Sequence, residues 1–412
     1  MAPRAAPAAA VAAIEMARVG AGGAVVVVGA ASSANVVWSR LTPLLLVLLA
    51  SPAALGGVLP EDRADVLYHY YDGGGIQIDG PSLLVRKSVG ESASLSASYY
   101  VDTITSASID VVTTASKYSE KRTQWGAGVD YLHNDTTMSL GWSTSKENDY
   151  KADTLNFTLS QDVFGGLTTI TLGYGSGADE VTRRGDAVFA ENVDRHAYRL
   201  GVTQVLTRNL ILGFSYEAIA DEGYLNNPYR QVRYVDANDA RGYAYQPEVY
   251  PRTRTSNAAA IRARYYLPYR AALSGEYRYY TDDWAINAHT VEVGYVQPFR
   301  SRWLFDFKFR YYTQSAADFY SDLFPYANAQ NFLARDKELS PFVSYGPHVG
   351  ATYTVLDRQG ERPMKSTLNV FFDHYSFSYD DFRDLTSNAP VGSEPLYNFD
   401  ANVLQFFVSL WF

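Results

Sequence analysis

The chain has 412 residues, with 35 Lys and Arg against 44 Asp and Glu, and its formal net charge of -9 gives no basic bias toward nucleic acid. It has no cysteine, which excludes disulfides, thiolate-bound metal and a CxxCH haem site within it. Aromatic residues make up 14 %, with 33 tyrosines, whose apolar ring and polar tip suit strands and membrane interfaces alike.

Residues 1–37 are rich in Ala, Gly and Val and show little pattern. The run that follows, "RLTPLLLVLLASPAALGG", reads as a secretory signal peptide. Arg40 is its positive end, Leu44 to Ala50 its apolar stretch, and Ala54-Leu55-Gly56 its small-residue cleavage site. An uncleaved anchor is the other reading, but the apolar stretch falls short of the roughly 20 residues a membrane-crossing helix needs. A signal this far from residue 1 points to a later start, with Val36 or Val37 as the valine reading of a GTG codon. N-terminal sequencing of the precursor that found residue 1 intact would remove that reading. Residues 1–56 are therefore expected to be an extension plus signal peptide, and 57–412 the mature domain.

From about residue 65 the pattern has period two, which marks strands with two unlike faces. The first strands are "DVLYHYY" and "IQIDGPSLLVRKSV". In "SLSASYYVD", Leu95, Ala97, Tyr99 and Val101 oppose serines, Tyr100 and Asp102. The alternation continues through "TTMSLGWSTS" and "TLNFTLSQD". In "AIRARYYL", Ile261, Ala263, Tyr265 and Leu267 oppose Arg262 and Arg264, and in "LSGEYRYY" Leu273, Tyr277 and Tyr279 oppose Glu276, Arg278 and Tyr280. In "WLFDFKFRYY", Phe305, Phe307, Phe309 and Tyr311 oppose Asp306, Lys308, Arg310 and Tyr312.

A soluble sandwich also alternates, so three further features decide. The strands are about 9 to 12 residues long, enough to cross a bilayer at a tilt. Short connections (Gly90-Glu91, Asn134-Asp135, "VFGG", "LTRN", "PYR", "QPFRS") alternate with long ones near 103–120, 176–193, 218–255, 314–338 and 379–400. The last strand, "VLQFFVSLWF", puts Leu404, Phe406, Val408, Leu410 and Phe412 on one face. Phe406, Val408, Leu410 and Phe412 resemble the signal read by the outer-membrane barrel assembly machinery. The expected fold is an all-β transmembrane antiparallel barrel of about 16 strands. An even count would put both termini on the periplasmic side. "DGGG" at 72–75 is read as a turn, although a glycine run also suits a bulge.

Parity then sets the inward face. It holds Asp102, Asp130, Glu217, Glu276, Glu292, Asp306 and Asp373, and Arg199, Arg262, Arg264, Arg278, Lys308 and Arg310. Arg262 and Arg264 lie on the strand next to Glu276 and Arg278, where cross-strand ion pairs are expected. Two readings stand side by side: a salt-bridge ladder that stiffens the wall, or a charged constriction that selects small solutes. The longest loop carries "NNPYR" and "PRTRTSN". Either it folds inward as a plug that turns Arg230, Arg252 and Arg254 to the acidic wall, or it packs as a surface loop. The rim acids Asp282, Asp283, Asp322, Asp380 and Asp381 are of the type hard cations take, but no DxDxDG loop accompanies them and no metal is assigned.

No enzyme is expected. The six histidines are His69, His133, His196, His289, His348 and His374, and no GxSxG accompanies them. Asp373 and His374 are adjacent and so point to opposite faces. No cofactor is expected either.

From about residue 65 to the end the chain resembles an uncharacterised bacterial family, the domain of unknown function 3570. The stretches that carry the likeness are "VLYHYYDGGG", "YYVDTITSAS", "SKENDYKADTL", "TQVLTRNLILG", "DEGYLNNPYR", "YPRTRTSNA", "EYRYYTDDW", "RYYTQSAADFYSDL" and "ARDKELS". The resemblance implies an outer-membrane barrel of a Gram-negative bacterium with no established activity. It also implies a neighbourhood of flavin-transfer and thioredoxin-like proteins, hence a periplasmic redox setting. The function expected is a passive pore for small polar or charged solutes. The alternative is a non-conducting scaffold for periplasmic or surface partners. Lipid, lipopolysaccharide and the assembly machinery are the expected partners, with a homo-oligomer allowed.

Overall fold

The computed structural model describes residues 57–106, 118–358 and 364–412. The signal peptide and the late start lie outside the described residues, as does the middle of the 103–120 connection. The strands are β1 (Arg63–Gly73), β2 (Ile76–Val89), β3 (Ala93–Ser106), β4 (Tyr118–His133), β5 (Thr136–Lys146), β6 (Tyr150–Val163), β7 (Thr168–Arg183), β8 (Asp186–Val205) and β9 (Leu210–Gly223). They continue as β10 (Gln231–Val235), β11 (Tyr243–Pro247), β12 (Thr253–Tyr266), β13 (Ala272–Asp282), β14 (Asn287–Phe299), β15 (Trp303–Gln314), β16 (Phe342–Arg358), β17 (Met364–Arg383) and β18 (Leu396–Trp411).

Sixteen of these close a barrel in chain order, each antiparallel to its neighbours. β10 and β11 form a separate hairpin between β9 and β12. β18 shuts the barrel on β1, from Arg63 opposite Trp411 to Gly73 opposite Ala401. Closure leaves no edge, so every strand finds ladder partners on both sides, which a span through hydrocarbon requires. The expected strand count and pairing are what the molecule has.

Two details differ from expectation. The barrel strands run from 11 to 20 residues, longer than a bilayer crossing needs. The stretch 176–193 is no long loop either, because β7 continues to Arg183 and β8 starts at Asp186. The outward face explains both. On β8, Leu200 and Tyr198 are outward and exposed, and the next outward residues are His196, Asp194 and Asn192. The alternation persists, but the outward face is now polar and the inward one mixes Val181 and Val193 with Asp179 and Arg195, which reads as loop in sequence.

The same change, from apolar to polar, occurs above Tyr279 on β13 and Tyr311 on β15. An exposed apolar belt therefore circles the half of the barrel nearest the termini, and a polar collar stands beyond it. A belt of this size belongs in lipid. Its upper edge is a tyrosine girdle whose hydroxyls reach collar groups. Tyr174 meets His196 Nδ1 at 2.9 Å, Tyr277 meets His289 Nδ1 at 2.8 Å, and Tyr216 donates to Asn257 at 2.6 Å.

The described turns at the terminus-bearing end are short: 90–92, 134–135, 164–167, 206–209, 267–271 and 300–302. Among the described residues the long connections, 224–252, 315–341 and 384–395, all lie at the other end. "DGGG" is a tight hairpin there, with Gly74 and Gly75 at φ 58° and 78°, the left-handed pair such a turn favours. Inside, Gly346 and Gly350 of β16 let the rings of Tyr375 and Phe371 lie against the backbone. A Cβ on either glycine would sit 2.2 Å or 2.6 Å from those rings.

The long connections fold into the mouth. Inward residues from strands all around the barrel, among them Tyr71, Ile78, Val181, Val193, Phe342, Phe377 and Val403, join one apolar core with Leu225, Tyr250, Phe319, Tyr320 and Leu339 of the loops. A smaller cluster of Val232, Phe324 and Leu333 ties the 224–252 loop to the 315–341 loop. Single bridges do the same, Tyr234 with Phe324 and Val249 with Leu333.

Candidate lumen site and its plug

Register builds the lumen site from β12 to β17. Arg262 lies opposite Glu276, Glu276 opposite Glu292, and Glu292 opposite Arg310. One step toward the termini come Arg264, Lys308, His348 and Asp373, the last three in adjacent register. Arg262 and Glu276 form a forked ion pair, with Nη2 donating at 3.1 Å. Lys308 sits 3.8 Å from Asp306. His348 Nδ1 lies 2.7 Å from Asp373, and Tyr375 donates to the same carboxylate at 3.3 Å.

Three guanidiniums on this wall, those of Arg264, Arg278 and Arg310, form no ion pair among the described residues. Arg278 and Arg310 lean instead over Tyr280 and Tyr312, at 5.9 Å and 5.6 Å from the ring centres. The wall that continues from β12 through β9 round to β5 is small. Ser139, Gly141, Asn156, Thr158, Thr171, Gly173, Thr203 and Ser215 of β5–β9 point inward yet stay partly exposed, so free space runs along them. Buried polar atoms around the lumen, including Asn156 Oδ1, Asp306 Oδ1 and His348 Nε2, have no protein partner. Such atoms call for water.

Nearer the plug the wall is buried and paired. Arg199 bonds Glu217 at 2.5 Å, Arg195 bonds Asp221, and Arg254 bonds Asp282. Across the lumen His69 Nε2 lies 2.8 Å from Asp102, stacks on Tyr100, and Arg122 reaches the same carboxylate at 3.3 Å.

The plug is held by ions as well as by apolar packing. Arg233, wholly buried, donates from Nε to the Asp322 carbonyl at 2.9 Å and from Nη1 to Glu394 at 2.5 Å, and pairs with the Asp322 carboxylate. Arg335 takes the other Asp322 oxygen at 2.7 Å and the Arg383 carbonyl at 3.0 Å. One arginine thereby joins three loops. Arg230 meets Asp336 at 2.6 Å. Glu248 accepts from the Arg335 N–H at 2.8 Å and from Tyr250 at 2.9 Å, and burial, opposed by Arg230, pushes its carboxyl up to about 7.

The sequence-derived residues fall as follows. Arg262, Arg264, Glu276, Arg278, Glu292, Asp306, Lys308 and Arg310 share one wall. Arg230, Arg252 and Arg254 are not brought together. Arg230 is in the plug, Arg252 is exposed and pairs with Glu191 at 2.9 Å, and Arg254 belongs to β12 rather than to the loop. Asp282 and Asp322 are buried under arginines and are no free rim acids. Asp373 finds its histidine on the next strand, a pair that only register could reveal. Arg233, Arg335, Glu248 and Glu394 carried no signal, since the Arg233 partners lie 89 and 161 residues away. Phe406, Val408 and Leu410 share the outward face of β18, which ends at Trp411, one residue before Phe412.

A family model described as "Protein of unknown function (DUF3570)" matches residues 112–379. No curated protein matches the chain. Solved barrels are similar in shape. A bacterial polysaccharide outer membrane secretin shares 8 % identity at a TM-score of 0.45, over 86 % of this chain and 99 % of its own. A Pseudomonas aeruginosa FadL homologue shares 12 % at 0.40, over 87 % and 91 %. The siderophore receptor PirA from Pseudomonas aeruginosa shares 9 % at 0.41, over 85 % of this chain, which spans only 63 % of the receptor.

Proposed function

The chain belongs to the DUF3570 family, and for this member of it we propose a non-enzymatic outer-membrane barrel of a Gram-negative bacterium that passes small polar or charged solutes. The observation that carries this reading is the lumen. Its membrane-level wall holds charged groups and unpartnered polar atoms and continues into a small-residue wall, an arrangement that is stable only when wet. The loop end faces outward and the termini face the periplasm in this reading. The outward face of β18 serves the assembly machinery, and lipid with lipopolysaccharide surrounds the belt and collar.

His348 does not argue for hydrolysis, because no hydroxyl nucleophile bonds its free Nε2. The packed apolar mouth favours a second reading, a non-conducting scaffold for periplasmic or surface partners, one version of which is a redox system. Efflux from liposomes holding the refolded chain 57–412 separates the two. Faster release of a small charged solute than from protein-free vesicles supports passage. No release from a folded, heat-modifiable barrel supports the scaffold.

A further inference from the structure

The cationic wall is unbalanced. At the membrane level of β12–β17 five cations (Arg262, Arg264, Arg278, Lys308, Arg310) face four carboxylates (Glu276, Glu292, Asp306, Asp373), an excess of one, and Asp373 is already held by His348 and Tyr375. Glu276 is taken by Arg262, and Asp306 is 3.8 Å from Lys308. Glu292 lies opposite Arg310 in register yet pairs with neither Arg310 nor Arg278. Strand spacing of about 4.8 Å and a rise of about 3.3 Å per residue put the Arg278 and Arg310 Cα atoms about 12 Å apart. Two arginine side chains can converge on one small group across that gap. Arg264, exposed in the lumen, lies on the side nearer the termini.

We propose that Arg278 and Arg310 form an oxyanion subsite in the lumen, with Arg264 at its approach, that takes a phosphate- or carboxylate-bearing solute. Guanidinium is planar, always charged and weakly hydrated, and its donors match the paired oxygens of both groups. A bound anion neutralises the excess charge and fills donors, such as Arg310 Nη1, that the protein leaves open. The hydroxyls of β5–β9 around the same lumen accept or donate to the rest of the solute. This inference rests on the lumen being reached by solutes from the end opposite the plug.

Calorimetric titration of the refolded chain at low ionic strength, with inorganic phosphate and separately with succinate, tests it. Saturable binding of either anion is expected, at least fivefold weaker in Arg278→Gln. The comparison of the two probes separates phosphate from carboxylate as the preferred group. Because Arg264 is exposed and makes no ion pair, Arg264→Gln leaves no buried carboxylate orphaned, so it is the variant to use if Arg278→Gln does not fold. It too is expected to bind more weakly. No saturable binding of either anion, or equal affinity in the folded variants, overturns the subsite. Binding by a chain that releases no solute from liposomes keeps the subsite and removes passage. Release without binding does the reverse.

Discussion

Arg233 is fully buried in the plug, and its charge is met by Asp322 and Glu394 on two other loops. Removing one partner of such a group leaves the others charged and dry, at a cost of about 3 kcal/mol or more. Arg233→Ala leaves Asp322 with Arg335 but takes the paired guanidinium from Glu394. The expected outcome is a loosened mouth on an intact barrel. Limited proteolysis should cut within 224–252 faster than in the parent while the heat-modified gel shift stays unchanged. Equal protease resistance would show that the apolar core alone holds the loops. None of this network was legible in sequence, because its partners are far apart in the chain and alternation says nothing about loops. Arg262 with Glu276 was legible, because the "PYR" turn fixes the hairpin and its register.

At the scale of the strand, the alternation gave the face of each residue and the short turns gave the order. It failed where the outward face changes solvent. On β7 and β8 the collar turns the outward face polar and mixes charges with valines on the inward one, so "DEVTRRGDAVFAEN" looked like a loop though it is one hairpin. It also missed that glycine on an inward face is a packing choice. Gly346 accommodates the Tyr375 ring, whereas a Cβ on Gly141 of β5 would meet nothing within 4 Å. Gly346→Ala is therefore expected to destabilise the barrel by about 1–3 kcal/mol through forced displacement of that ring. Gly141→Ala should be near neutral. Urea unfolding of both variants in micelles checks the contrast, and equal midpoints would contradict it.

The whole molecule is a tube with two interiors. The half within the apolar belt has charged and small polar walls with free space between them. The half within the collar is filled by loops and apolar side chains. A plug carried by its own loops can be removed without breaking a ladder of the barrel, because 224–252 lies between β9 and β12, which pair directly with each other. Its removal also takes Arg230 and Arg233 from Asp336, Asp322 and Glu394, so the remaining loops lose their ionic ties.

The central claim is that the lumen is a solute path closed by these loops. Planar-bilayer conductance of the chain lacking residues 225–250, compared with the parent 57–412, tests it most directly. The account predicts larger and longer-lived open steps in the deleted chain, against a parent that is closed for most of the recording. Unchanged conductance in a deleted chain that still folds would contradict it.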